Sequence, residues 1–254
     1  MRHCAFAFIL LSFPSLLPML SSPGTLRLHS TPPSTVAIVI GFVGGFVAHD
    51  DESHGEVQLY RRLSASHAGL QVRIYENRRG EEARSEILRL LDVNQDGTLS
   101  PQERSRARIA IYGHSWGASE TVTLARALAN DQVPVQLTVQ VDSVQKPGQN
   151  DAVIPANVLQ AVNFYQLDGL LHGRSQIRAA DASRTRILGN FQCHYKAKPV
   201  SCEGYPWYAR IFMKPHIEIE ADAVVWRQVE SLIRAKLQLG SEDSDANDST
   251  TPRP

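Results

Sequence analysis

The sequence lacks several features that would mark a specialised class of protein. It contains 3 cysteines in 254 residues, too few for a small domain held together by disulfides. The 26 basic and 26 acidic side chains balance, and no run of lysine and arginine is interleaved with aromatic residues, which argues against nucleic acid or an anionic surface as the main partner. No internal repeat is visible. The length allows one full α/β domain with an adequate core.

Long apolar runs are also scarce, and the one that stands out lies near the N-terminus. A short positive start precedes residues 5–20, which are apolar but interrupted by two prolines, and residues 21–24 are small and turn-forming. This layout predicts a secretory signal peptide over residues 1–22 and a linker over residues 23–34. The run is short for a membrane span, with a retained membrane anchor as the alternative. We therefore expect export to a periplasmic or extracellular compartment.

The cysteines of the expected mature chain are Cys193 and Cys202, which lie close together in a loop-like stretch that contains proline. In an oxidising compartment a disulfide between them would close a short loop and add stability. Two unpaired small apolar residues are the alternative, because sequence spacing alone does not establish the geometry that a disulfide needs.

Strands alternate with helices along residues 35–239. The first run, 36–40, is continuous and β-branched, which is typical of a strand buried on both faces of a parallel sheet. The further predicted strands are 72–75, 108–112, 133–141 and 185–190, and the predicted helices are 57–70, 81–91, 118–129, 157–164 and 221–239. This order predicts one α/β domain with a mostly parallel sheet and helices on both faces. A tail over residues 240–254, rich in serine, aspartate and asparagine, is expected to be disordered.

A nucleophile motif connects the strand at 108–112 to the helix that follows it. The strand runs directly into Gly113-His114-Ser115-Trp116-Gly117, and a serine on such a strained turn projects its hydroxyl from the end of the sheet. The flanking glycines let two backbones approach where a Cβ would clash. The helix start brings its N–H groups to the serine, so the Trp116 N–H is an expected oxyanion donor. The spacing predicts Ser115 as a nucleophile.

Residues 113–118 are similar to the Gly-His-Ser-x-Gly-Ala elbow of lipases, and the chain resembles the α/β-hydrolase superfamily, in particular its lipase and esterase branch. The resemblance covers roughly residues 35–236 and implies a triad in the chain order serine, acid, histidine. Asp142 follows the strand after the elbow helix and is the expected acid. Most members of the superfamily carry the acid one strand later, which leaves Asp168 and Asp181 as alternatives.

The same resemblance implies a base and a second oxyanion donor. His216 lies just before the last long helix, in the loop where the family places its base, and His172 and His194 are the alternatives. The second donor is expected from the glycine-rich turn after the first strand, from the backbone N–H of Phe42 or Val43.

A second motif, DVNQDGTLSPQE, occupies residues 92–103 and resembles an EF-hand calcium loop. It carries oxygen ligands at the required positions and glycine at position six, and Leu99 is the apolar residue that pairs two loops in that family. The expected ligands are Asp92, Asn94, Asp96, the carbonyl of Thr98, Ser100 through water, and Glu103. The exiting helix is short and no second EF-hand follows, so we expect a weak, structural Ca²⁺ site. The polar segment 49–54 predicts a solvated loop, with metal binding as the alternative.

Together these motifs predict an exported serine hydrolase that acts on an ester or related acyl bond of a small substrate, with Ca²⁺ as a structural cofactor. No nucleic acid and no membrane span after removal of the leader are expected. The absence of an evident long insertion between the predicted strands favours a small esterase, thioesterase or peptidase over a large interfacial lipase. The alternative is a calcium-binding interaction protein on a catalytically inactive hydrolase scaffold.

Overall fold

The computed structural model describes residues 35–66 and 69–239. The predicted signal peptide, linker and C-terminal tail, over residues 1–22, 23–34 and 240–254, lie outside the described residues. Among the helices of the described ranges, none combines the length and the apolar character that crossing a membrane requires.

Six strands form the main sheet, and all of their pairings are parallel. In chain order the strands of the described residues are β1 (Val36–Val43), β2 (Gln71–Glu76), β3 (Ala107–His114), β4 (Val135–Val141), β5 (Val153–Ile154), β6 (Val158–Gln166), β7 (Arg178–Ala179) and β8 (Arg186–Cys193). The main sheet has the order β2-β1-β3-β4-β6-β8, and β5 pairs with β7 separately. The strand order reverses between β1 and β3, which is where ligands bind in open parallel sheets, at the carboxyl ends of the strands.

Helices cover both faces of this sheet. They are α1 (Gly55–Ser66), α2 (Gly80–Leu91), α3 (Pro101–Ser105), α4 (Trp116–Asn130), α5 (Trp207–Phe212), α6 (Lys214–Ala221) and α7 (Ala223–Leu237). Apolar side chains of α2 and α4 pack in one core cluster, and those of α1 and α7 pack in another. The predicted α/β class, with helices on both faces of a parallel sheet, is confirmed.

The alternation of side chains along β1 explains why the sheet has two cores. Ile38 and Ile40 pack in the α2–α4 cluster, whereas Val39 between them packs in the α1–α7 cluster. All three side chains are fully buried. Because successive residues of a strand point to opposite faces, a continuous aliphatic run is what a strand covered on both sides requires.

The predicted helix over residues 157–164 is wrong, because this segment forms β6. Val158, Ala161 and Val162 are spaced as on one face of a helix, and that spacing suggested one. In the structure β6 lies between β4 and β8, and all three side chains are buried. The central place in a parallel sheet, where both faces are covered, removes the polar alternation that identifies a strand.

The predicted disulfide is also wrong, because Cys193 and Cys202 are free thiols in the structure. Cys193 ends β8 and packs against the cluster of α1 and α7. Cys202 packs in a separate cluster with Tyr205, Ala209 and Ile217. The two sulfurs are therefore held as small apolar groups in different parts of the core.

Candidate active site

Ser115 occupies a strained turn between β3 and α4. Its φ of 55° and ψ of −121° lie in a region that side chains other than glycine rarely adopt. A Cβ on Gly113 would come within 2.5 Å of the carbonyl carbon of Gly117, and one on Gly117 would come within 2.4 Å of the carbonyl oxygen of Phe42. The two glycines of the motif are therefore required by the close approach of α4 to the ends of β3 and β1.

A chain of two hydrogen bonds joins Ser115, His216 and Asp142. His216 Nε2 lies 2.9 Å from Ser115 Oγ, and His216 Nδ1 lies 2.7 Å from Asp142 Oδ2. Asp142 follows β4, as the sequence predicted, and His216 lies in α6 rather than in a loop. The three side chains, which are 101 and 74 residues apart in the chain, are all buried.

Both oxygens of the Asp142 carboxylate accept hydrogen bonds. Oδ1 accepts the backbone N–H of Gly173 at 2.7 Å and that of Gln166 at 3.2 Å, while Oδ2 accepts Gln166 Nε2 at 2.9 Å as well as His216. Burial raises the pKa of Asp142, but the hydrogen bonds from His216 and Gln166 outweigh it, so the pKa lies below its usual value. The acid is therefore ionised and oriented.

The imidazole of His216 is kept neutral by its surroundings. Burial and the nearby ring of His114 lower the pKa of His216, and this outweighs the opposite effect of Asp142. Since Asp142 accepts the proton on Nδ1, Nε2 is the acceptor for the Ser115 hydroxyl. The carbonyl of His216 accepts a hydrogen bond from His114 Nε2 at 3.2 Å, which fixes the base from its backbone side.

The alternative acids and bases lie elsewhere. Asp168 accepts backbone N–H groups of the loop after β8, and Asp181 caps a turn through the N–H and hydroxyl of Ser183. The side chains of His172 and His194 are exposed. The geometry therefore brings together Ser115 with the acid and base that the sequence ranked first.

Of the three residues expected to supply oxyanion N–H groups, only Trp116 lines the cavity at Ser115. Trp116 is the first residue of α4, where backbone N–H groups have no intrahelical acceptor. Phe42 and Val43 belong to β1, are fully buried and do not line the cavity at Ser115. The wall begins at Gly44, whose own N–H donates to Glu56 Oε1 at 3.1 Å.

A cavity of about 730 Å³ opens at Ser115, and most of its wall is apolar. Its lining includes the turn after β1, with Phe46 and Val47, and a later set of residues: Gly204, Tyr205, Pro206, Tyr208, Ala209 and Met213. The latter belong to the segment between β8 and α6, which carries α5 and exposes aromatic side chains such as Tyr208. No regular hydrophobic pattern marks this segment, so its place in the cavity wall was not predicted.

Gln166 and Gly173 were missed by the sequence reasoning. Gln166 is the last residue of β6, and the wrong helix assignment there hid its place at the carboxyl edge of the sheet. A strand at 158–166 would have placed Gln166 beside Asp142, since β4 and β6 are neighbours. The position of Gly173 in an irregular loop has no comparable signal.

The calcium-loop motif lies between α2 and β3, as predicted. Positive φ angles at Gln95 and Gly97 fold the loop back on itself, and the Asp92 carboxylate accepts the N–H of Gly97 at 2.9 Å. Glu103 closes the loop by accepting the N–H of Val93 at 2.9 Å. Leu99, expected to face a second EF-hand, instead packs against the α2–α4 core.

No protein-family model and no curated protein sequence matches the chain. Solved structures with similar architecture include a cutinase-like protein from Cryptococcus sp., with 15% identity over 80% of this chain and 98% of that one, at a TM-score of 0.42. RedJ, solved with a polyethylene glycol molecule in its active site, has 11% identity over 81% and 96%, at 0.39. A putative hydrolase of the α/β superfamily from Xanthomonas campestris pv. campestris has 13% identity over 78% and 99%, at 0.37.

Proposed function

We propose that this protein is a serine hydrolase that cleaves an ester or related acyl bond through Ser115, His216 and Asp142. The observation that carries the proposal is the hydrogen-bond chain of 2.9 and 2.7 Å that ends on a serine at the wall of a large cavity. Nucleophile, base and orienting acid in hydrogen-bond contact are the arrangement that activates a serine hydroxyl.

The mechanism follows from the protonation states. Ser115 Oγ attacks the carbonyl carbon of the substrate while its proton passes to His216 Nε2, and ionised Asp142 stabilises the imidazolium that forms. His216 then gives this proton to the leaving alkoxide, which departs as an alcohol and leaves an acyl group on Ser115. A water molecule, deprotonated by His216 in the same way, releases the acid and restores the serine.

Two backbone N–H groups would hold the negative oxygen of the tetrahedral intermediate. The first is that of Trp116, at the positive end of the α4 dipole. The second comes from the turn after β1. Phe42 and Val43 are the sequence candidates, but the cavity wall favours Gly45 or Phe46, and a positive φ of 64° at Phe46 is the kind of strained backbone found at such sites. Removing one such donor typically costs about 3–4 kcal/mol of transition-state stabilisation.

The cavity supports an apolar acyl substrate of modest size. Phe46, whose ring centroid lies 5.5 Å from that of Trp116, and Met213 line the same cavity as Ser115 and offer apolar contact to a substrate. Burial of each methylene of an acyl chain contributes about 0.8 kcal/mol. The substrate would therefore be selected mainly by its acyl part. Export by the N-terminal segment remains part of the proposal.

We further propose that residues 92–103 bind Ca²⁺ as a structural ion. The ligands would be the side chains of Asp92, Asn94, Asp96 and Glu103, the carbonyl of Thr98, and Ser100 through water. Among the described residues, Asp92, Asp96 and Glu103 do not form a set of three ligand atoms that all lie within 4.8 Å of one another, and they accept backbone N–H groups instead. Because the ion must displace some of these contacts, the affinity would be that of extracellular modules, with a Kd of about 10⁻⁴–10⁻³ M.

Hydrolysis of p-nitrophenyl esters with acyl chains of increasing length tests the function. We expect kcat/KM to rise with chain length until the cavity is filled, and Ser115→Ala to abolish turnover while the circular dichroism spectrum stays unchanged. Thioesters and peptide p-nitroanilides, assayed in parallel, separate esterase from thioesterase and peptidase. Absence of turnover on all three classes would favour the rival view of a calcium-binding protein on an inactive scaffold.

A further inference from the structure

A second group of ionisable side chains lies buried beside the cavity and takes no part in the serine chemistry. His54 precedes α1, Glu56 is in its first turn, and Glu220 is near the end of α6. One ligand atom from each of these residues lies within 4.8 Å of the other two, and His54 Nδ1 is 2.5 Å from Glu220 Oε1. All three residues are at most 9% exposed.

Two atoms in or beside this group have no hydrogen-bond partner although they are buried. Glu56 Oε1 accepts the N–H of Gly44, but Glu56 Oε2 accepts nothing. His114, which lies beside this group, makes no hydrogen bond through Nδ1, but this atom forms an ion pair with Glu220 Oε1 at 3.5 Å. Two buried carboxylates side by side repel each other, and a buried carboxylate oxygen without a donor is costly. Glu220 already pairs with His54 and His114, so Glu56 Oε2 is the carboxylate oxygen that lacks a partner, and a cation between the two acids would supply one.

Each histidine presents one ring nitrogen to the group and directs the other to an acceptor. The carbonyl of His216 accepts from His114 Nε2, and Asp51 Oδ2 lies 3.6 Å from His54 Nε2. Metal-binding histidines are commonly oriented in this way, by a carbonyl or carboxylate on the far nitrogen. The Nδ1 atoms of both residues thus face the group, where they contact Glu220 Oε1, and they are the atoms that would bind an ion in its place.

We propose that His54, Glu56, His114 and Glu220 bind one divalent transition-metal ion, for which Zn²⁺ has the matching chemistry. Two imidazole nitrogens and two carboxylate oxygens form a four-coordinate set that suits this ion, whereas Ca²⁺ prefers oxygen ligands alone. Ligand atoms around tetrahedral Zn²⁺ lie about 3.3 Å apart. Those of His54, Glu56 and Glu220 lie within 4.8 Å of one another, and His114 Nδ1 lies 3.5 Å from Glu220 Oε1. The cavity wall includes His54, His114 and Glu220, which gives the ion a path from solvent.

The ion would tie together the elements that carry the candidate active site. Glu56 holds the N–H of Gly44 in the turn after β1, His114 precedes Ser115, and Glu220 shares α6 with His216. Its binding is independent of the proposed hydrolysis, because it is measured without substrate. Failure of one proposal leaves the other unaffected.

Titration of the full-length protein with Co²⁺ tests the site. The protein is stripped with chelator and kept in excess Ca²⁺, so that the calcium loop does not compete. We expect one equivalent of Co²⁺ to give the intense visible absorption of tetrahedral coordination, and one equivalent of Zn²⁺ to remove it. Asp51→Asn should weaken the affinity about 10-fold or more, as loss of an orienting partner does, and Glu56→Gln or Glu220→Gln should abolish the stoichiometric site.

Two exposed histidines supply matched controls, since His172→Ala and His194→Ala should leave the titration unchanged. No tetrahedral Co²⁺ spectrum from the wild type would overturn the proposal, whatever the variants do. A thiolate-to-cobalt charge-transfer band would also overturn it, because it would place the ion on Cys193 or Cys202. Unchanged Co²⁺ binding in a folded Glu56→Gln variant would also overturn the proposal.

Discussion

At the scale of single residues, the state of Asp142 depends on atoms that the sequence motif does not contain. Its carboxylate is fully buried and ionised, which would be costly without compensation. The hydrogen bonds of Gln166 and Gly173, in addition to that of His216, provide this compensation. Asp142 is therefore able to orient the imidazole without being protonated itself.

Replacing the acid separates the three candidates that the sequence left open. Asp142→Asn should lower kcat on a p-nitrophenyl ester by about 10⁴-fold, because the amide holds His216 in the wrong tautomer. Asp168→Asn and Asp181→Asn are matched controls that should stay near wild-type activity, since both side chains bind loop backbone elsewhere. A large loss in either control, with Asp142→Asn active, would assign the acid to another residue.

At the scale of secondary-structure elements, the elbow depends on the contact of α4 with the end of β1. Gly117→Ala would place a methyl group within 2.4 Å of the Phe42 carbonyl oxygen, which cannot move without breaking the sheet. We expect destabilisation of about 1–3 kcal/mol, typical of overpacking, together with lower activity, measured by urea unfolding and ester hydrolysis. Gly69→Ala is the control, because a Cβ there meets no atom within 4 Å. Equal stability of the two variants would contradict this view of the elbow.

The calcium loop is an element whose stability should respond to its ion. With a Kd of about 1 mM, 10 mM Ca²⁺ would raise the free energy of unfolding by about 1.4 kcal/mol. Asp92→Asn should reduce or remove this gain, because it takes a negative charge from the first ligand position. Asp181→Asn, a capping acid outside the loop, should retain it. Urea unfolding with and without Ca²⁺ measures the difference, and a gain that persists in full in Asp92→Asn would argue against the loop.

Elements with strong local patterns were predicted well, and those set by tertiary context were not. The β-branched run of β1 and the amphipathic pattern of α2 predict a strand and a helix from local sequence alone. In β6 the buried positions follow from neighbours on both sides, so the spacing of Val158, Ala161 and Val162 was misleading. The wrong helix assignment also affected the prediction of the site, because it hid the position of Gln166 beside Asp142.

At the scale of the whole molecule, the triad follows from chain order and sheet topology together. Ser115 and Asp142 directly follow the adjacent strands β3 and β4, and a parallel sheet places such positions at the same edge. The sequence predicted His216 as the base because it lies just before the last long helix, where the resembled family carries its histidine. Of the buried group, the sequence marked only His54, which ends the polar segment 49–54 where metal binding was the alternative. Its proximity to His114 and Glu220 was not predictable, because these residues come from distant segments and no spacing relates them.

The central claim is that His216 and Asp142 make Ser115 a nucleophile, and covalent labelling tests it most directly. The full-length protein is incubated with a fluorophosphonate probe, with and without Ca²⁺, and the modified residue is mapped by mass spectrometry. We expect one label per chain, on Ser115, with labelling absent in Ser115→Ala and strongly slowed in His216→Ala. A folded wild-type protein that takes up no label in either condition, or carries it on a different residue, would contradict the account.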